Sequence, residues 1–366
     1  MQLGNEETFN VFPRFQVALE NEGILPSGLQ DAPAIVRVMR RSRQRFPFSA
    51  NLVQELRSDL GLPEDMSDYD RKKLFGSPEK WFFWKHFSYS GRNLYHYTRQ
   101  DAFISMLGNR SSRVSNVRHF NDYSEVEYAY GVLRALIEEI KKDATYGLEP
   151  GFLAQLLKDA LPNRHDSYVL CFSTKYDDLN QWRSYASPGL GYCIGFPCHL
   201  LSAIAETYKG RLGQCIYSRK HQSQIVSAML TDALWDLSTY FPHYDPGEIN
   251  EGLVQARTKA FSEHFSTIAP LFKNPAFAEE SEVRLVFDVE AAAIPVHFRS
   301  GATSIVPYIE LSFQISDLQA LSPNAVVVKT CSRPEFVTSA VRKFLDSAGY
   351  EKVVISASGI PFREGL

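Results

Sequence analysis

The chain is predicted to have an α+β fold, and three observations lead there. Short apolar runs rich in aromatic, β-branched and cysteine residues recur as strand patterns through the middle of the sequence. Helical patterns are inserted between them, the best being a long amphipathic stretch after Asn121-Asp122. The C-terminus reads strand, helix, strand.

In chain order, residues 1–90 read as a helical N-terminal region. Ile35–Met39 and Leu52–Leu60 have helical apolar spacing, broken by Pro13, Pro26, Pro33, Pro47 and Pro63. Five arginines lie between Arg37 and Arg45, either a solvated helix face or a contact for phosphates or acidic partners. Trp81-Phe82-Phe83-Trp84 carries no interleaved basic residue, which suits docking onto the main domain better than base stacking.

Residues 91–366 form the expected α+β domain. It opens at Leu94 with a strand that puts His96 and Thr98 on one face, followed by a turn and a short helix. From Tyr123 to about Lys142 the apolar positions Val126, Ala129, Tyr130, Leu133, Leu136, Ile137 and Ile140 form one stripe. Asp122 and Glu125 fit a capping box at its start, and Lys141 and Lys142 suit the negative end of its dipole. A second helix over 152–160 ends at Pro162.

Strands are then expected at Ser167–Ser173, Leu190–Phe196 and Arg211–Tyr217, with a helical insertion over about 220–270. Ser281–Glu290 has the clearest alternation. Val283, Leu285, Phe287 and Val289 face one way, and Glu282, Arg284, Asp288 and Glu290 face the other, as on a strand with one wet side. Further strands follow at Ile294–Phe298, Ile305–Leu311, Ala325–Val328 and Lys352–Ile355, the last two joined by a helix over Pro334–Ala348.

At 366 residues, with 44% hydrophobic and 22% charged residues, the chain has the composition of a globular protein with a substantial core. A net charge of -3 argues against coating nucleic acid over the whole surface and leaves room for a local basic patch. Five scattered cysteines fit buried free thiols in a reducing compartment, so a cytoplasmic location is expected. The acidic N-terminus lacks the apolar stretch of a signal peptide, and no run is long enough to span a bilayer.

The nine histidines are dispersed, with no HExxH, no CxxC pair and no EF-hand loop, so no metal site is expected. P-loop, GxGxxG and GxSxG motifs are all missing. What remains is three polar strand segments: Leu94-Tyr-His96-Tyr-Thr98, Cys171-Phe-Ser173-Thr174 and Glu280-Ser-Glu282-Val-Arg284. Taken with FNDxxE at Phe120–Glu125, Trp182 with Tyr185, and Ser358-Gly-Ile-Pro-Phe-Arg363, this order resembles a bacterial family of unknown function. The likeness spans roughly Leu94 to Arg363.

The same three segments more weakly resemble those of ADP-ribosyltransferases, including the DNA-modifying toxin group. That resemblance implies a split β-sheet core and NAD as substrate. It implies that His96, Tyr97 and Thr98 hold the NAD ribose and that Ser173 and Thr174 support the site. Tyr192 or Trp182 would stack on nicotinamide, with Tyr185 nearby. Glu282 would be the catalytic carboxylate, because cleavage of the nicotinamide–ribose bond develops an oxocarbenium-like charge. Glu280, read as two residues earlier on the same strand face, would orient or deprotonate the acceptor. ADP-ribose would pass to a macromolecule, protein or nucleic acid, or to water, in a toxin or antiphage effector.

Each residue also has a plainer reading. His96 fits a hydrogen-bonded structural histidine, and Asn121, Asp122 and Glu125 fit a helix start. Arg284 fits the wet side of its strand, and Trp182 with Tyr185 fits core packing. Two other functions stay open. One is a non-catalytic module that binds a nucleotide or protein in a pocket of His96, Trp182 and Tyr185. The other is a metal-dependent nuclease using Asp122, Glu125, Glu280 and Glu282 with Mg²⁺.

Overall fold

The structure is a computed structural model and describes residues 87, 89, 91–120, 125–142, 156, 166–240, 251–288, 293–301, 304–315 and 320–361. Of the helical region expected over 1–90 only residues 87 and 89 are described, and of the helix over 152–160 only residue 156; Asn121 and Asp122 lie outside the described residues. The chain divides into two compact units. One comprises residues 1–82, 131–164 and 222–265; the other comprises 83–130, 165–221 and 266–366.

The second unit is built on a ten-stranded, mostly antiparallel sheet. Its strands are β1 (Asn93–Arg99), β2 (Ser111–Asn116), β3 (Ser167–Ser173), β4 (Gly191–Pro197), β5 (Arg211–Gln214), β6 (Glu282–Asp288), β7 (Val296–Ser300), β8 (Ile305–Ser312), β9 (Ala325–Val328) and β10 (Val354–Ala357). Among the described residues the α-helices are α1 (Gln100–Gly108), α2 (Glu125–Lys142), α3 (Leu179–Tyr185), α4 (Cys198–Thr207), α5 (Arg219–Tyr240), α6 (Glu251–Ile268) and α7 (Pro334–Ser347). An open sheet of this kind with helices agrees with the mixed fold class expected. The C-terminal unit is as expected too, since β9 and β10 pair in parallel across α7.

Two elements have no counterpart in the sequence reading. β2 reads Ser-Ser-Arg-Val-Ser-Asn, too polar to register as a strand, and forms because β8 and β3 supply its ladders. The run after Pro197 becomes α4, whose Leu201, Ile204 and Ala205 are buried against the sheet.

β3 is the branch point of the sheet. Along one edge all seven of its residues pair with β6. Along the other, Ser173 pairs with Tyr95 of β1, while Tyr168 and Val169 pair with β2. The strands β1 and β2 therefore diverge over the middle of β3. There the His96 ring bonds the Cys171 carbonyl, Nδ1 to O at 2.9 Å. A carbonyl only accepts, so Nδ1 carries the proton and donates, and Nε2 keeps its lone pair.

The main core lies on the sheet face that carries Leu94, Phe172, Ile194, Phe196, Val283 and Leu285, under α1, α4 and α7. On the opposite face Tyr97, Cys193 and Val327 pack with Trp182 and Ala186 at α3. Asp177 ties this second layer together. It accepts from Trp182 Nε1 (2.8 Å), Ser358 Oγ (2.5 Å) and the Gly359 amide (2.9 Å). In this way the Trp182 and Ser358-Gly359 motifs act on one carboxylate.

In the first unit, Leu133, Ile137 and Ile140 of the α2 stripe are buried, as expected. On α6 the rings of Phe261 and Phe265 stack at 6.1 Å.

Candidate active site

The sheet alternation divides the expected site residues between two faces. Residues opposite one another across a ladder share a face, and neighbours along a strand do not. Tyr95 pairs with Ser173, and Ser173 pairs with Glu282. Ser173, Glu282, Cys171 and Arg284 thus share a face with Tyr95 and Tyr97. His96 and Thr98 project from the other face, where His96 meets the edge of Phe172 at 5.8 Å between ring centres.

On the face of Glu282 the structure assembles five charged side chains. Arg284 Nη2 donates to Glu125 Oε2 (2.7 Å) and to Glu282 Oε2 (2.8 Å), and its Nη1 donates to the Pro270 carbonyl (2.6 Å). Lys273 Nζ donates to Glu282 Oε2 (2.8 Å), lies 3.4 Å from Glu125 Oε1 and bonds Glu280 Oε2. The Cys215 thiol lies 3.8 Å from Glu282 Oε2. Three carboxylates thus surround two cations.

Burial alone would raise the Glu282 carboxyl; Arg284 and Lys273 outweigh it and hold the group at about 2. Burial would likewise lower Lys273, but Glu282, with Glu125 and Glu280, keeps it raised and protonated. Burial pushes the Cys171 and Cys215 thiols up, with Glu282 adding to the effect. They remain protonated and unreactive at neutral pH.

Several sequence-based expectations change here. Arg284 does not line a wet strand side: it is 1% exposed, because both faces of β6 are covered. Glu125 is more than a helix start, since its carboxylate is buried against Arg284 and Lys273 while it opens α2. Glu280 is not on the strand with Glu282. It ends a 3-10 turn over Pro275–Glu280, and Ser281 then takes a left-handed conformation (φ 47) before β6 begins. The two carboxylates still converge, through Lys273.

Neither ring proposed to stack on nicotinamide has an open face. Tyr192 stacks on Phe103 at 4.1 Å in the main core, and Trp182 meets Tyr97 edge-on at 4.9 Å. The Tyr97 hydroxyl donates to the Lys175 carbonyl and accepts from the Asp178 amide. Ser173 Oγ donates to the Glu280 carbonyl, and the Thr174 amide donates to Ser281, so both support the turn that carries Glu280. Burial lowers His96, leaving its imidazole neutral at pH 7.

The cluster reaches the surface at Glu280. Its side chain is 20% exposed, against 6% for Glu282 and 8% for Glu125. Tyr185, 39% exposed, donates its hydroxyl to Glu280 Oε1 at 3.1 Å, and Gln181 Nε2 holds the Glu280 carbonyl. Lys273 is the residue that sequence reading missed. The signal was an isolated lysine after Pro-Leu-Phe, indistinguishable from a surface lysine until folding placed it.

The fold and site define a mixed α/β protein with an open, mostly antiparallel sheet and a buried charge cluster that opens at one carboxylate. A family described as a protein of unknown function (DUF2971) matches residues 181–285. The match runs from α3 to β6 and takes in Trp182, Tyr185, Lys273, Glu280, Glu282 and Arg284, a shorter span than the Leu94–Arg363 likeness. No curated protein and no solved structure matches the chain. Among the described residues no helix is long and apolar enough to cross a membrane, and no group of three or more side chains is arranged to hold a metal ion. Glu125, Glu280 and Glu282 do converge, but on the cations of Lys273 and Arg284.

Proposed function

We propose that the chain is an ADP-ribosyltransferase-like enzyme that cleaves NAD, with Glu280 as the carboxylate facing the sugar. The observation that carries this reading is the difference in access within one cluster: Glu282 and Glu125 are enclosed, whereas Glu280 is held at the surface by Lys273 and Tyr185. A carboxylate fixed in advance stabilises an oxocarbenium-like transition state without reorganising. Three carboxylates against two cations leave one negative charge uncompensated, which suits a centre that becomes positive.

In the reaction the bond from ribose C1′ to the nicotinamide nitrogen breaks, its electron pair leaving with neutral nicotinamide. A new C1′–O or C1′–N bond forms to water or an acceptor, whose proton passes to Glu280 or solvent. Glu282 has a different part from the one its motif implied: it holds Lys273 and Arg284, and Lys273 in turn orients Glu280. Nicotinamide release from NAD, measured by chromatography on the purified full chain and on Glu280→Gln, tests this. Release by the parent and a loss of about 100-fold or more in the variant is expected. No release from the parent with water or any acceptor supplied, or equal release from both, removes the proposal.

A non-catalytic binding module is the second reading. It would bind at the exposed Tyr185–Glu280 edge, since the pocket expected from His96, Trp182 and Tyr185 is divided, with His96 across the sheet from α3. NAD binding by calorimetry without nicotinamide release distinguishes it.

A further inference from the structure

A second polar surface lies on the part of the sheet formed by β2, β8 and β7, away from the charge cluster. Ser115 of β2 and His297 of β7 both pair with Tyr308 of the intervening β8, while Arg113 pairs with Glu310 and Arg299 with Val306. Arg113, Ser115, Tyr308, His297 and Arg299 therefore share one face. Val114, Ile309 and Leu311 point the other way into the core. Arg113, His297 and Arg299 are exposed, and Ser115 and Tyr308 are half-buried.

The two guanidiniums on this face are held by neutral partners. Arg113 lies over the Tyr308 ring at 5.4 Å. Arg299 reaches across β8 so that Nη2 donates to Ser115 Oγ at 3.1 Å, with Nη1 3.5 Å from the Ser300 carbonyl. Neither forms an ion pair among the described residues. The one carboxylate beside Arg113 on this face, Glu310, accepts from Ser111 Oγ at 2.7 Å. His297 lies 5.6 Å from Tyr308, ring to ring. In a chain whose net charge is -3, two guanidiniums outside any ion pair among the described residues, against the single carboxylate of Glu310 and interleaved with a phenol and an imidazole, form a local basic and aromatic surface.

We propose that this outer face of β2, β8 and β7 binds single-stranded nucleic acid, with Arg113 and Arg299 on successive parts of the phosphate backbone. Guanidinium forks match phosphate oxygens, and the exposed His297 ring, backed by Tyr308, offers a face on which a base stacks whatever its sequence. Strands lie about 4.8 Å apart and rise about 3.4 Å per residue, so with Arg113 opposite Glu310 and Arg299 opposite Val306 the two arginine backbones stand roughly 17 Å apart diagonally across β8, a span suited to a short run of nucleotides. An acidic peptide or an anionic lipid surface would use the charges and leave Tyr308 and His297 without a role. The inference does not depend on NAD cleavage.

The test is fluorescence anisotropy of the full chain with a fluorescein-labelled oligothymidylate in a salt series, without NAD. The parent binds, and the double variant Arg113→Glu/Arg299→Glu binds at least about tenfold more weakly. Arg113→Ala/Arg299→Ala flattens the log–log salt slope by about 1.4, the loss of two single-strand phosphate contacts. Arg113→Lys/Arg299→Lys keeps most of the affinity, and Tyr308→Ala weakens binding at unchanged salt slope. Equal binding by parent and double-glutamate variant overturns the proposal. So does competition by polyglutamate or phosphatidylserine vesicles as effective as that by unlabelled oligonucleotide, which would assign the face to another anionic partner.

Discussion

Arg284 and Glu125 are 159 residues apart in the chain and meet at 2.7 Å in the interior of the sheet unit. The contact joins the start of α2 to the middle of β6, and Arg284 uses the same nitrogen to hold Glu282. A buried guanidinium with two carboxylates is costly to assemble and more costly to break, because a lost partner leaves a charge without solvent.

Arg284→Met is expected to destabilise the protein by about 3–5 kcal/mol, since Glu125 and Glu282 lose their shared cation. Urea unfolding at pH 7 measures it. A double-mutant cycle of Arg284→Met with Glu125→Gln should give a coupling of at least about 1 kcal/mol. Additive effects would mean that the pair does not interact.

Stability should fall on acidification in a window set by Glu282. Its carboxyl is held at about 2, below its ordinary value of 4.5. A group depressed on folding gives its full stabilisation above the unfolded value and loses it as pH falls through the folded one. Thermal midpoints of the parent should therefore drop between about pH 4.5 and pH 2, and Glu282→Gln should show a flatter profile there. Parallel profiles would contradict the assignment.

Tyr185→Phe removes the hydroxyl that donates to Glu280 while keeping the ring. A hydrogen bond to a charged group contributes about 1.5–3 kcal/mol, so nicotinamide release should fall by roughly 10- to 100-fold. The unfolding midpoint should change little, because this edge of the cluster is exposed. A variant that keeps full activity would place the chemistry elsewhere.

Asp177→Ala should release the Ser358–Ile360 segment from α3, because the carboxylate accepts from both Ser358 and Gly359. Amide hydrogen exchange at Gly359 and Ile360 is expected to quicken by at least about tenfold, with exchange in β1 and β4 unchanged. Unaltered exchange would show that the remaining ties, Ser358 to the Val328 carbonyl and Thr330 to the Ile360 carbonyl, hold the segment without Asp177.

By itself the sequence determined the strand and helix content of most of the described chain. The α2 stripe, the alternation of β6 and the strand–helix–strand end are local periodicities, and a burial pattern with period 3.6 or 2 is readable without knowing neighbours. It also marked Glu280, Glu282 and Arg284 as belonging together, though it placed Arg284 in water and Glu280 on the strand.

Only the tertiary structure decided which face each motif occupies and what each charge meets. β2 is invisible in its own composition and exists through the ladders of β3 and β8. His96 and Glu282 look like partners along the chain, yet the register sends them to opposite sides of the sheet. Lys273 carries no local signal, and its value to the site comes from three carboxylates contributed by α2, the turn before β6 and β6 itself. The physical reason is common to all three. Strand pairing and the compensation of buried charge depend on groups distant in sequence, and alternation along one strand says which residues share a side without saying what covers it.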